Sequence, residues 1–162
     1  LTNTPIGGND PDALPAADAA TDRDATNAIL KQSATLRTTS PGQVAELIQK
    51  FQQDHAQMDP VRLTLLDIAL ANIYFDDLKT PDKALAAMDA GMARSDVPAA
   101  YLPLVYTKAG FLARSEKYDA SIALYEKELP KLLAEPTTDF AFLRNALNWY
   151  EYRARKAGQR AP

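Results

Sequence analysis

Slid along itself by 38 residues, the chain sets Ala71 on Ala109 and Leu147, Tyr74 on Leu112 and Tyr150, and Ile73 on Phe111 and Trp149, with Gly110 an alternative to Ala109 at the small position. The helix that follows matches at 37 instead, Ala84 falling on Ser121, Leu85 on Ile122 and Met88 on Tyr125, as if the second turn were one residue shorter. A unit of this length cannot close a core by itself. Its recurrence therefore requires copies to stack and bury a continuous interior between them.

Inside each copy the apolar spacing is helical. In "SPGQVAELIQKFQQDH" Ser40 stands at the N-cap, Pro41 in the first turn where its missing N–H does no harm, and Gln43 at the capping-box position. Val44, Leu47, Ile48 and Phe51 follow at i, i+3, i+4 and i+7, which makes one buried face. Asp59-Pro60 and Thr80-Pro81 repeat the device. The first of these opens "VRLTLLDIALANIYF", apolar around most of its circumference and so covered on two sides; the second opens a stripe of small and soft residues, Ala84, Leu85, Ala87, Met88, Gly91 and Met92. "DRDATNAILKQSATLR" offers a narrower stripe of Ala25, Ala28, Ile29 and Leu36. In the last segment Asp139 can cap, Phe140, Leu143, Leu147, Tyr150 and Ala154 share a face, and Gly158 is a stop. Its opposite face is polar, as a terminal capping helix requires. Pro103 and Pro130 fall inside apolar patterns, where proline is expected to end or kink a helix. No alternating strand pattern occurs, so the expected fold is all-α: antiparallel helical hairpins stacked as a short solenoid of about seven helices.

Residues 1–21, rich in Pro, Gly, Asp and small residues without periodicity, read as a flexible linker; residues 22–158 form the helical-repeat domain and 159–162 a short tail. Such a linker is like the spacer of an exported, periplasmic bacterial protein, with a lipid anchor upstream of Leu1 as one form of it and a cytoplasmic location as the alternative. The formal charge of −3, both signs interspersed, weighs against nucleic acid as partner. No apolar run approaches membrane-spanning length.

The helix-turn-helix unit resembles the tetratricopeptide repeat. Leu70, Ala71 and Tyr74 match that family's first helix, and Tyr118, Ser121, Ile122 and Tyr125 its second, over about residues 60–157, at a spacing longer than the family's roughly 34 residues. The resemblance implies a non-catalytic protein- or peptide-binding scaffold whose concave surface comes from the first helices. Carried onto this chain, that surface holds Asn72, Phe75, Asp76, Tyr106, Arg114, Arg144, Asn148 and Tyr152. The family's carboxylate clamp also needs a lysine where Ile68 stands, so capture of a peptide C-terminus is not expected.

Catalytic chemistry finds little purchase. His55 is the only histidine and sits at a helix end, cysteine is absent, and Asp76-Asp77 precede a turn, where solvated carboxylates are the simpler reading. Ser33 and Ser115 lack a nucleophile-elbow context. No enzyme activity, cofactor or metal is expected. Two alternatives to the scaffold remain. The terminal "KAGQRAP" resembles the entry into thioredoxin-like redoxin domains, which would make the helical part an accessory domain. Aromatic residues near Tyr106, Phe111 and Trp149 could instead form the pocket of a small-molecule sensor.

Overall fold

Proline opens four of the helices, at Pro41, Pro60, Pro81 and Pro98. The computed structural model describes residues 16–95, 97–134, 140–156 and 158. Within them run α1 (Ala16–Leu36), α2 (Pro41–Asp54), α3 (Pro60–Asn72), α4 (Pro81–Arg94), α5 (Pro98–Arg114), α6 (Tyr118–Leu133) and α7 (Phe140–Lys156), with no strand among the described residues. Asp59 caps α3 by accepting a hydrogen bond from the Val61 N–H at 3.0 Å. Ser40 and Thr80 hold the N-cap positions of α2 and α4 without a side-chain capping bond, and the Thr80 hydroxyl donates instead to the Tyr74 carbonyl.

Several expectations need correction. Pro103 and Pro130 do not end their helices, since α5 and α6 each run through them. Proline in a helix interior forfeits one hydrogen bond and crowds the preceding turn, at a cost of about 3 kcal/mol. In α5 the burial of Leu102, Leu104 and Val105 around it offsets that cost. Helix α1 starts six residues ahead of the expected Asp22. Of its expected stripe, Ile29 is buried and Ala25 and Leu36 pack partly buried against the core, whereas Ala28 is exposed; Thr26 and Ser33 are buried beside them. Residues 1–15, the 159–162 tail and Asp139 lie outside the described residues.

The helices form antiparallel hairpins that pack on their nearest neighbours. Helix α3 lies against α4 and α5, α4 against α5, α5 against α6, and α6 against α7, while α1 and α2 cover the other side of α3. One part of the core is built on α1 to α4, with Leu104 and Phe111 of α5, around Val44, Ile48, Leu66, Ile73 and Met88. A second joins α5, α6 and α7 around Val105, Ile122, Tyr125 and Tyr150, with Leu85 and Met92 packed against both. Small residues sit at the closest crossings. Ala71, Ala84, Ala109 and Ser121 are all fully buried, and the Ser121 hydroxyl donates to the Ala109 carbonyl across the α5–α6 crossing at 2.9 Å. Gly110 is only half-buried, whereas Ala109 is fully buried.

The change of repeat length from 38 to 37 has a visible cause. Between α5 and α6, Glu116 takes a left-handed conformation (φ +60°), the Lys117 N–H donates to the Leu112 carbonyl and the Glu116 N–H to the Ala113 carbonyl, which is a Schellman stop. Between α3 and α4 the left-handed residue is Lys79 (φ +54°), one position later in the aligned unit. Residues Ile73–Asp77 take up the extra residue as a π-helical turn, with the Leu78 N–H donating to the Ile73 carbonyl and the Thr80 N–H to the Tyr74 carbonyl.

Candidate functional site

The repeat also explains why the stack has a hollow where it does. In the π-helical turn that follows α3, the Phe75 ring stacks on Phe111 of α5, with centroids 4.6 Å apart and planes 16° from parallel. One 38-residue step on, Phe75 becomes Ala113 and Phe111 becomes Trp149. A methyl group thus stands where a ring filled the space between successive first helices. Ile73 and Phe111 are each 2% exposed, whereas Trp149 at the equivalent position is 44% exposed. The consequence is a cleft of about 570 Å³ bordered by α3, α5 and α7.

Small side chains on α5, Thr107, Gly110 and Ala113, make the depression; Tyr106, Phe111, Tyr118, Trp149 and Tyr152 supply rings around it. Trp149 and Tyr152, one helical turn apart on α7, meet edge to face with centroids 5.7 Å apart. Ile68, Asn72, Arg114 and Glu116 complete the lining. The half-buried Asn72 amide makes no hydrogen bond with a described residue, which leaves donor and acceptor available to a ligand.

Four of the eight residues expected on the concave surface, Asn72, Tyr106, Arg114 and Tyr152, come together in this cleft. Phe75 and Asp76 support it from behind. The Asp76 carboxylate accepts a charge-assisted hydrogen bond from Arg114, whose guanidinium lies 4.3 Å from the Phe75 centroid and 6.0 Å from that of Phe111. Arg144 and Asn148 are exposed on α7 and do not line the cleft. Tyr106, Phe111 and Trp149, grouped in the sequence as a pocket, all border it. Glu116, which joins through the α5–α6 turn, was not singled out by the sequence, and Tyr118 was read there only as a residue of the repeat pattern. The signal that could have found the cleft is the Phe75-to-Ala113 step within the repeat.

The remaining polar features are structural. Asp76 and Asp77 are not a carboxylate pair facing a common ligand: Asp76 engages Arg114, and Asp77 engages Arg37 just beyond α1. Exposed His55 stacks on Phe51 at 4.1 Å, with Nδ1 2.9 Å from the Phe51 carbonyl oxygen. The buried Asp67 carboxylate accepts hydrogen bonds from Gln52 at 2.7 Å and from both terminal nitrogens of Arg94 at 2.9 and 3.3 Å, tying α2, α3 and α4 together. Burial pushes its pKa up, and Arg94 and Gln52 only partly pull it back. Tyr101 donates to the buried Glu128 carboxylate at 2.6 Å; burial and that partner hold its hydroxyl well above the usual tyrosine range.

Among the described residues no three His, Cys, Asp or Glu side chains are grouped to hold a metal ion, and no helix is long and apolar enough to cross a membrane. No family model matches the chain, and no curated protein or solved structure shows significant similarity to it.

Proposed function

We propose that the chain is a non-catalytic binding module, a tetratricopeptide-like stack that receives an extended peptide in the cleft between α3, α5 and α7. The observation that carries this reading is the cleft: about 570 Å³, within the range of ligand sites, and open where Ala113 replaces the repeat's own filling ring. Tyr152 and Trp149 present partly exposed rings at its edge. Such rings give a partner large contact area at little cost in side-chain entropy. The packing order of the helices, α1 against α2 and α3, and α3 against α4 and α5, supports the tetratricopeptide-like reading.

A small-molecule sensor is the second reading, favoured by the convergence of Tyr106, Phe111 and Trp149 on the same space. The exposure of Trp149 and Tyr152 favours a chain that enters and leaves over a ligand that is enclosed. Panning a random-peptide display library against the immobilised protein, with Tyr152→Ala in parallel, separates the two. Peptides retained by the wild type and lost by the variant support the binding module. No enrichment, combined with thermal stabilisation by one of a panel of aromatic metabolites, assigns the cleft to a small molecule.

A further inference from the structure

The chemistry of the cleft narrows the kind of peptide it would take, given the binding-module reading on which this step rests. Its rings are many and its cations already engaged. Arg114 is held by Asp76 over Phe75, and Lys156 lies 5.7 Å from the Tyr152 centroid. A further cation stacked on these rings would meet like charge, and an acidic group would have to compete with Asp76 for Arg114. Glu116, exposed in its left-handed turn, is the lining residue whose charge makes no ion pair with a described residue. The site therefore suits an uncharged, flat-sided apolar segment with free backbone carbonyls, next to one positive charge.

A polyproline II helix has these properties. It makes no internal hydrogen bonds, so its carbonyls remain available, its rings present flat apolar faces, and its stiffness lowers the entropic cost of binding. Grooves lined by aromatic side chains are a recurrent receptor for such segments. We propose that the cleft binds a proline-rich segment in the polyproline II conformation, with proline rings against Tyr106, Trp149 and Tyr152, a backbone carbonyl accepting from the Asn72 amide, and a Lys or Arg at one end beside Glu116.

Trp149 is the only tryptophan in the chain, so its fluorescence reports on the cleft directly. The experiment titrates the protein with octaproline ending in arginine, octaproline ending in glutamate, a Gly-Ser peptide of equal length ending in arginine, and cellotriose. The first should give a saturable blue shift, and the second should bind about threefold more weakly, a preference abolished in Glu116→Gln. Tyr152→Ala, which alters an exposed ring, should weaken binding about tenfold while thermal unfolding stays unchanged. An equal response to the Gly-Ser peptide overturns the polyproline inference and leaves the peptide-binding module standing. A response to cellotriose alone overturns both in favour of a sugar site, and silence towards every probe removes both from this cleft.

Discussion

Gly91 marks a close approach between helices. A Cβ built there would lie 2.6 Å from Asp67 Oδ2 and 3.0 Å from Leu104 Cδ1. Asp67 cannot swing aside without loosening its bonds to Gln52 and Arg94, so Gly91→Ala should destabilise the fold by about 1–3 kcal/mol in chemical denaturation. A neutral result would mean that the network yields more easily than its geometry implies. Asp67 itself makes a pH prediction. Its folded pKa is raised above the ordinary 3.8, so the native state holds this proton more readily than the unfolded chain. The stability it contributes is fully present below 3.8 and declines as pH rises through the raised value. The difference in unfolding free energy between wild type and Asp67→Asn should fall in that direction, and a flat difference would refute the shift. Little of this network was legible in the sequence. Asp67, Gln52 and Arg94 come from three helices, and only packing reveals that Gly91 in the small-residue stripe faces a carboxylate.

The starts of α2, α3 and α4 were legible because they are local chemistry. Cap-then-proline at Ser40-Pro41, Asp59-Pro60 and Thr80-Pro81 places α2, α3 and α4 at the observed residues. Neither Pro103 nor Pro130 ends its helix, and in α5 the burial of Leu102, Leu104 and Val105 outweighs the local preference. The π-helical turn at Ile73–Asp77 left one trace, the slip from 38 to 37 between the two hairpins, which reads as an extra residue but not as the way the backbone absorbs it. Both hairpin turns put an ordinary residue in the left-handed region that glycine tolerates best. Lys79→Gly should therefore stabilise the protein by about 0.5–1 kcal/mol, the relief of the left-handed strain exceeding the added freedom of the unfolded chain. A denaturation midpoint that moves downward would show that the Lys79 side chain contributes more than its backbone strain costs.

At the scale of the molecule, a stack held by nearest-neighbour contacts need not unfold all at once. Helix α7 packs chiefly on α6, whereas α3 to α5 are covered from several directions. With Trp149 in α7, tryptophan emission should lose its native signal at lower denaturant than far-ultraviolet circular dichroism. Coincident curves would show instead that the last helix is fully coupled to the rest. The stacked all-helical architecture was readable because recurrence and helical spacing agree; of the cleft only the grouping of Tyr106, Phe111 and Trp149 was, because its opening arises from one substitution between copies whose effect shows only in the folded stack. The two carboxylates of the π-helical turn add a mechanical asymmetry. Asp77 reaches back to Arg37 beyond α1 and Asp76 forward to Arg114 at the end of α5, stitching the ends of three successive first helices along one seam. Under tension applied through its ends, such a stack is an uneven spring. It should yield first where α7 meets α6 and last along the stitched seam, so a modest pull would draw away one wall of the cleft while α1 to α5 stay folded.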